Sequence, residues 1–244
     1  MRLDQFLVER GFFESRARAR DAILRGTVVV DGKPAKKPGQ AVAPSADIGV
    51  DDPAKGYVSR GALKLLRGLD IFGFDPSGAR ALDIGASTGG FTQVLLERGA
   101  AHVTAIDVGS GQMDARIAMD PRVASLEGVN ARNLAREHLG ASIPDFLVSD
   151  VSFISLKLAL PPALAMAAPG ACGIFLVKPQ FEAGREAIGK GGLLRDPARA
   201  DEIAEDMKNW LGTNAGWRAV GLVPSPIEGG DGNREFLLAG LKDR

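Results

Sequence analysis

Short apolar runs alternate with segments of helical length along most of the chain, and this alternation constrains the fold more than any other feature. The segments between the runs, such as 90–98 and 157–168, are long enough for helices. Strands separated by helices form parallel sheets with helices on both faces, so the pattern predicts an α/β fold. The strand-like runs are 79–84, 102–108, 123–126, 146–148 and 173–177.

The end of the chain departs from this pattern. Asp196 and Pro197 are predicted to cap and open a last helix, whose buried face would carry Ile203, Met207 and Leu211. Two further strand-like runs, 220–223 and 236–238, are joined by a Pro- and Gly-rich segment too short for a helical crossover, which predicts an antiparallel pair. A mostly parallel seven-stranded sheet with an antiparallel last strand resembles the Rossmann-like fold of class I methyltransferases that use S-adenosylmethionine.

A glycine-rich turn follows the first of these runs, in residues 83–90, Asp-Ile-Gly-Ala-Ser-Thr-Gly-Gly. Asp107 ends the next run, where a carboxylate can accept hydrogen bonds from the ribose hydroxyls of an adenosine. Dehydrogenases share this arrangement, but their Gly-x-Gly-x-x-Gly fingerprint requires glycine where this chain has Ser87. Since S-adenosylmethionine has no pyrophosphate that needs a bare backbone, the turn favours this cofactor, and a nicotinamide dehydrogenase stays as an alternative.

The predicted cofactor site extends over three strand ends. Asp83 is assigned to the ammonium group of the cofactor and Asn130 to the adenine edge. The cofactor-binding residues predicted from the turn and the strand ends are Asp83, Gly85, Ala86, Ser87, Thr88, Gly89, Gly90, Asp107, Val108 and Asn130.

The first 40 residues carry nine Lys or Arg against five Asp or Glu, although the whole chain has 30 residues of each sign. Helical spacing of Leu3 and Leu7, a second helix capped by Ser15 and the Asp-Gly pair at 31–32 predict two short helices and a basic hairpin. Clustered cations on adjacent elements suit phosphate contacts better than a solvated helix face. The predicted RNA-binding residues are Arg2, Arg16, Arg18, Arg20, Lys33, Lys36 and Lys37.

The same module resembles the S4 RNA-binding domain. The matching segments are Arg-Leu-Asp at 2–4, Ser-Arg-Ala-Arg-Ala at 15–19 and Gly-Thr-Val-Val-Val-Asp-Gly-Lys at 26–33. The resemblance covers about residues 1–50 and implies a small α+β domain that recognises RNA through shape and backbone.

The remaining composition narrows the class of protein. Cys172 is the only cysteine, so neither an intrachain disulfide nor a thiolate metal site is expected. His102 and His138 have no neighbouring set of ligands, and no metal is predicted. With neither a secretion signal nor a run of about 20 apolar residues, a cytoplasmic protein without stable membrane association is expected.

The residues at the strand ends indicate which kind of methyl acceptor the protein uses. Residues 149–153 lack the Pro-Pro-aromatic sequence of exocyclic amino methyltransferases, and Cys172 lies at the wrong end of its run to attack a base. Charged residues are present instead, and this set resembles the catalytic tetrad of FtsJ-like 2′-O-ribose methyltransferases. Its members are Lys64, Asp150, Lys178 and Glu235.

A ribose hydroxyl is a weak acid, so a group must orient it or take its proton during attack on the methyl group. Lys178 is predicted to be that base or orienting residue. Asp150 and Glu235 are predicted to position Lys178, and Lys64 is predicted to be a cation facing the substrate.

The order of these motifs along the chain resembles the TlyA, or hemolysin A, family of ribosomal RNA cytidine 2′-O-methyltransferases. This resemblance implies S-adenosylmethionine as cofactor and ribosomal RNA or ribosomal subunits as partner. It also implies an S4-like domain at 1–55, a linker at 56–63 and an FtsJ-like domain at 64–244. The alternatives are a ribosome assembly factor without turnover and, disfavoured by the absence of a long basic amphipathic helix, a membrane-lytic protein.

Overall fold

A computed structural model of the chain describes residues 1–214, 216–230 and 232–243. Asp231, in the Pro- and Gly-rich connection between the last two strands, lies outside the described residues. The chain forms two compact units, Met1–Gly56 and Tyr57–Arg244. None of the helices in the described ranges has the length and apolar character needed to cross a membrane.

The first unit combines two helices with a small antiparallel sheet in the order β2-β1-β3. Ser15 caps the second helix, because its Oγ accepts a hydrogen bond from the Arg18 N–H at 3.3 Å. Asp31 and Gly32 have φ angles of 49° and 75° and form the tight turn of the predicted hairpin. The elements are α1 Leu3–Glu9, α2 Arg16–Leu24, β1 Val28–Val30, β2 Lys33–Pro34 and β3 Ile48–Val50.

The second unit contains a seven-stranded sheet in the order β6-β5-β4-β7-β8-β10-β9. The pairs from β6 to β8 are parallel, whereas β10 runs antiparallel to both of its neighbours. The predicted α/β fold with an antiparallel last strand is therefore confirmed. The strands are β4 Arg80–Ile84, β5 His102–Asp107, β6 Val123–Glu127, β7 Phe146–Ser149, β8 Cys172–Val177, β9 Trp217–Pro224 and β10 Phe236–Lys242.

Helices cover both faces of this sheet. They are α3 Ala62–Phe72, α4 Gly90–Glu97, α5 Ala115–Ala118, α6 Arg136–Leu139, α7 Leu156–Ala159, α8 Pro161–Met166, α9 Pro179–Glu182 and α10 Arg199–Leu211. Short 3-10 turns occur at Ala131–Asn133, Arg185–Ala187 and Lys190–Gly192. Strand β4 shows how the faces divide: Leu82 and Ile84 pack into one core, and Ala81 packs into the other.

Two helix predictions differ from the structure in detail. The segment at 157–168 forms two helices, because Pro161 has no N–H to continue the first and instead begins the second. The last helix begins at Arg199 rather than at Pro197, although the Asp196 carboxylate accepts the Ala198 N–H at 3.1 Å just before it. Its predicted inner face is confirmed, since Ile203, Met207 and Leu211 are buried.

The segment before α3 packs within the second unit. Tyr57 and Val58 contact its core, and the Val58 N–H donates a hydrogen bond to Gln93 Oε1 at 2.8 Å. From Tyr57 onward, the stretch predicted as a linker is therefore part of this packed unit. The boundaries at 1–55, 56–63 and 64–244 stay a prediction.

Candidate active site

The carboxyl ends of β4, β5, β7 and β8 surround a cleft of about 1210 Å³. A smaller recess of about 160 Å³ shares Gly85, Ser87, Asp150 and Ser152 with it. Ligands of open α/β sheets bind at this edge, where the loops after parallel strands meet. The cleft and the recess together form the candidate active site.

The predicted cofactor residues divide into three groups around these cavities. Gly85, Ser87, Asp107, Val108 and Asn130 line the cleft. Gly85 and Ser87 also line the recess, together with Ala86, Thr88 and Gly90. Asp83 and Gly89 line neither cavity.

The turn after β4 passes close to the loop after β7, and this contact determines its shape. Gly85 has a φ angle of 84°, and a Cβ at this position would lie 2.9 Å from Val151 Cγ1. Ser87 also has a positive φ angle, of 48°, and its Oγ donates a hydrogen bond to Gln112 Oε1 at 3.1 Å. The serine that breaks the dinucleotide fingerprint therefore has a defined place in the turn.

Asp107 is held at the end of β5 by two backbone donors. Its carboxylate oxygens accept the Ser87 N–H at 2.8 Å and the Gly109 N–H at 2.7 Å. Each oxygen retains a second lone pair, so the carboxylate can also accept hydrogen bonds from a ligand in the cleft.

Asp83 is the residue whose position differs most from its predicted role. Its side chain is 0% exposed on the face of β4 that meets α4, where it accepts the Thr92 Oγ1–H at 2.6 Å. Burial raises the pKa of this carboxyl to about 7, and the nearby charge of Asp150 adds to the shift. A direct contact with the cofactor ammonium is not supported by this position.

The raised pKa of Asp83 predicts how the stability of the protein changes with pH. Because the folded-state pKa lies above the ordinary value of 3.8, ionisation of Asp83 destabilises the fold as the pH rises from about 4 to about 7. Asp83→Asn removes this ionisation, so the free energy of unfolding of the variant should improve relative to the wild type by up to about 4 kcal/mol across that range.

Urea unfolding of the ligand-free proteins at pH 5 and pH 8 measures about 3 kcal/mol of this difference, since the part between pH 4 and pH 5 lies outside the comparison. Asp70→Asn is a matched control, since Asp70 is 59% exposed and pairs with Arg98 on the surface. If the free energies of unfolding of wild type and Asp83→Asn differ by the same amount at pH 5 and pH 8, the raised pKa of Asp83 would be contradicted.

Four charged side chains meet beside the recess. Lys178 Nζ lies 2.6 Å from Asp150 Oδ1 and donates a hydrogen bond to Ser152 Oγ at 2.7 Å. Lys64 Nζ lies 2.6 Å from Glu235 Oε2 and 3.9 Å from Asp150 Oδ2. The four residues predicted from the sequence therefore form one chain of alternating charges, Glu235, Lys64, Asp150 and Lys178.

This arrangement agrees with the predicted Asp150–Lys178 partnership and differs from the predicted partner of Glu235 and the predicted position of Lys64. Glu235 pairs with Lys64, whereas Lys178 pairs with Asp150 and Ser152. Both lysine side chains are buried, at 7% and 9% exposure, but Lys178 borders the recess whereas Lys64 lines neither cavity, so Lys64 lies behind Asp150. The Asp150 side chain is 22% exposed and is the most accessible of the four.

Burial explains why the charges alternate. A buried ion without a partner costs several kcal/mol, whereas each of these cations has a carboxylate within 2.6 Å. The Lys64–Glu235 pair compensates charge behind the site and holds Asp150 from one side. Lys178 contacts Asp150 from the other side and borders the recess.

The loop after β7 contributes residues that the sequence did not single out. Ser152 is the hydrogen-bond partner of Lys178, and Phe153 is 92% exposed with a φ angle of 64°. The Phe153 ring lies 5.2 Å from the ring of Phe181, centroid to centroid. Glu182 fixes the end of this loop by accepting hydrogen bonds from the Ser155 hydroxyl and the backbone N–H that follows it.

The position of these residues directly after strand ends is the signal that could have identified them. The recess also includes Ser59 and Gly61, from the segment that precedes α3. Within the described ranges, no group of three or more His, Cys, Asp or Glu is placed to hold a metal ion.

The predicted RNA-binding residues lie in the first unit and differ in their local partners. Arg2 and Arg16 both contact Asp4 Oδ2 at 3.0 Å and lower its pKa far below the ordinary value, and Arg18 contacts Glu14 and the Ala54 carbonyl. The other four are exposed, and no ion pair is found for them within the described part of this unit: Arg20, Lys33, Lys36 and Lys37.

The fold and the site define a methyltransferase. The profile of the FtsJ-like methyltransferase family matches residues 57–242, and that of the S4 domain matches residues 1–48. The sheet is also that of a solved S-adenosylmethionine-dependent methyltransferase from Mesorhizobium loti, at 15% identity and a TM-score of 0.52 over 72% of this chain and 96% of the other.

More similar relatives identify the family. The 16S/23S rRNA (cytidine-2′-O)-methyltransferase TlyA of Mycobacterium tuberculosis is 45% identical over 97% of this chain and 88% of its own length. Hemolysin A of Brachyspira hyodysenteriae is 38% identical over 97% of this chain and 98% of its own length. A solved hemolysin-named protein from Streptococcus thermophilus has a TM-score of 0.77 at 38% identity, covering 100% of this chain and 88% of the other. The chain belongs to the TlyA, or hemolysin A, family.

Proposed function

We propose that this protein transfers a methyl group from S-adenosylmethionine to the 2′-hydroxyl of a cytidine in ribosomal RNA. The observation that carries the proposal is the Lys178–Asp150 contact of 2.6 Å at the recess beside the glycine-rich turn. It combines a cation and a carboxylate at the place where a methyl donor and a hydroxyl acceptor would meet. The TlyA relative from Mycobacterium tuberculosis is named as an rRNA cytidine 2′-O-methyltransferase, and this supports the choice of ribosomal RNA and cytidine.

The residues present fit S-adenosylmethionine. Asp107 offers free lone pairs to ribose hydroxyls, and Val108 and Asn130 border the same part of the cleft for an adenine. The recess at Gly85 and Ser87 leads from there toward Lys178 and suits the amino-acid end of the cofactor. When bound, the cofactor supplies an electrophilic methyl group on a sulfonium.

The substrate hydroxyl would be held by Lys178. Lys178 Nζ donates a hydrogen bond to Ser152 and is paired with Asp150 at 2.6 Å, which leaves a hydrogen for the ribose oxygen. As that oxygen forms its bond to the methyl group and the methyl–sulfur bond breaks, its proton would pass to the Asp150 carboxylate, because the Lys178 ammonium has no lone pair to accept it. Fixing the hydroxyl in line with the methyl group converts the encounter into an intramolecular reaction.

Two other features support RNA as the substrate. Phe153 presents an almost fully exposed ring at the cleft, and aromatic rings of this kind stack on unpaired bases. The exposed cations of the first unit suit the phosphate backbone. Ribosomal RNA as substrate agrees with the predicted cytoplasmic location, which stays a prediction.

The experiment that tests this function is methyl transfer from labelled S-adenosylmethionine to ribosomal subunits that lack the modification. We expect label in the RNA and cofactor binding in calorimetry. Cofactor binding without transfer would instead support an assembly factor, and binding of NAD but not S-adenosylmethionine would support a dehydrogenase. Release of dye from liposomes by the purified protein would support the lytic alternative.

A further inference from the structure

Gln180 is a buried polar residue in the active-site cleft that has no role in the mechanism above. It lies in α9, two residues after Lys178, and is only 9% exposed. Its Oε1 is fully enclosed, and the described part of the structure gives it no hydrogen-bond donor. Because an enclosed acceptor without a partner is destabilising, such an atom in a cleft indicates a ligand that donates to it.

Other enclosed side-chain atoms without a hydrogen-bond partner do not point to the same ligand. Asp83 Oδ1 and Ser149 Oγ are among them, but neither residue lines the cleft. Asp150 Oδ1 is another, and Asp150 does line the cleft, but this oxygen lies 2.6 Å from Lys178 Nζ and its charge is compensated there. Gln180 does line it, beside Phe153 and Phe181. Gln180 is therefore a neutral acceptor residue of the cleft, whose lining also includes the aromatic pair, rather than a residue inside the sheet.

The strand order places Gln180 in the half of the cleft away from the adenosine. Asp107 ends β5, and Gln180 follows β8, with β4 and β7 between these two strands. The loop after β7, which carries Asp150, separates the two positions. A group that contacts Gln180 therefore belongs to the methyl acceptor rather than to the cofactor's ribose.

The chemistry of the nucleobases identifies the donor. Cytosine presents an amino group at position 4, whereas uracil presents a carbonyl oxygen there. An acceptor at this place forms a hydrogen bond with cytosine and faces a second acceptor with uracil. Sites built to hydrogen-bond one group strongly reject the analogue that leaves the buried atom unpaired.

We propose that Gln180 reads the target base, its Oε1 accepting a hydrogen bond from the 4-amino group of a cytidine stacked against Phe153. This inference rests on the proposed function and adds to it the residue that selects the base. It makes Gln180 a specificity-determining residue, distinct from the Lys178–Asp150 pair that handles the hydroxyl.

The test measures single-turnover rates of methyl transfer by the full-length protein. It compares ribosomal subunits that carry cytidine at the methylated position with subunits that carry uridine there. The wild type should methylate the cytidine form faster by about 10-fold to 100-fold. Gln180→Met keeps the length of the side chain without the acceptor, and it should lose most of this preference. Gln180→Glu retains an acceptor and should keep the preference.

Each outcome bears on one proposal. No transfer by the wild type would overturn the proposed function and this inference with it. Transfer with equal rates on cytidine and uridine, or a preference that Gln180→Met retains, would overturn only the base-reading role. Weaker cofactor binding by Gln180→Met with an unchanged preference would assign Oε1 to the cofactor instead, and would also overturn the inference.

The variants need a check on folding, and the wild-type measurement does not depend on them. Cofactor affinity of both variants should match the wild type, and both should unfold cooperatively, although a buried glutamate lowers stability and removal of an unpaired acceptor raises it. If Gln180→Met fails to fold, the wild-type preference and its retention by Gln180→Glu decide the proposal, and loss of the preference in a folded Gln180→Glu would overturn it.

Discussion

Lys178→Ala is expected to bind S-adenosylmethionine with unchanged affinity and to transfer its methyl group about 10²-fold to 10⁴-fold more slowly. The substitution removes the group that would hold the ribose hydroxyl and leaves Asp150 without its 2.6 Å partner. The cofactor residues on β4 and β5 are untouched, so the loss should appear in kcat rather than in cofactor binding. Calorimetry for the cofactor and single-turnover transfer for the chemistry separate the two effects.

Lys208→Ala is the matched control for this substitution. Lys208 is also a lysine in an ion pair, with Glu205 at 2.6 Å, but it lies on the surface of α10. The control should transfer methyl groups at the wild-type rate. Near-normal turnover by Lys178→Ala would remove Lys178 from the reaction.

Replacement of four exposed cations in the first unit is expected to weaken binding to ribosomal RNA by about 10²-fold and to lower the salt dependence of binding by about 3 in the log–log slope. The variant carries glutamine at each of these positions in the full-length chain. The residues are Arg20, Lys33, Lys36 and Lys37, for which no ion pair is found within the described part of their unit. Each contact with a phosphate releases counterions, and its loss flattens the slope.

A second quadruple variant controls for the change in net charge. It replaces four cations of the other unit, each within 4 Å of an acidic side chain, again by glutamine. These are Arg98, Arg199, Lys208 and Arg218. Binding measured across a salt titration should change little in this variant. Equal losses in the two variants would show that net charge, and not the face of the first unit, determines RNA binding.

The strand directions and the position of the catalytic edge could be predicted from the sequence. Apolar runs gave the parallel strands, and the short connection before residue 236 gave the antiparallel one. Because the carboxyl ends of parallel strands share one edge, Asp150 and Lys178 were expected to meet, and they do. These inferences needed only the direction of each strand.

The pairing within the tetrad could not be predicted in the same way. Lys64 comes from α3 and Glu235 from the start of β10, and their contact depends on how a helix packs on a distant strand. No spacing or motif in the sequence indicates that Lys64 and Glu235 lie close together in the fold. Both carboxylates were therefore assigned to Lys178, whereas the structure gives each carboxylate its own closest cation.

Burial is the other property that the sequence did not reveal. Asp83 has the position of a cofactor ligand in the motif, but its side chain faces Thr92 and the core. Gln180 shows the opposite case, since an ordinary glutamine in the sequence becomes an enclosed acceptor in the cleft. Side-chain direction at a strand end is set by packing that no spacing rule contains.

The position of the transferred methyl group tests the central claim most directly. Ribosomal RNA labelled by the wild-type protein is hydrolysed in alkali, which cleaves after every nucleotide with a free 2′-hydroxyl. Label in an alkali-stable dinucleotide with cytidine on its 5′ side is the predicted result, because a 2′-O-methyl group blocks cleavage at that nucleotide. Label released in mononucleotides, which indicates methylation of a base, would contradict the account.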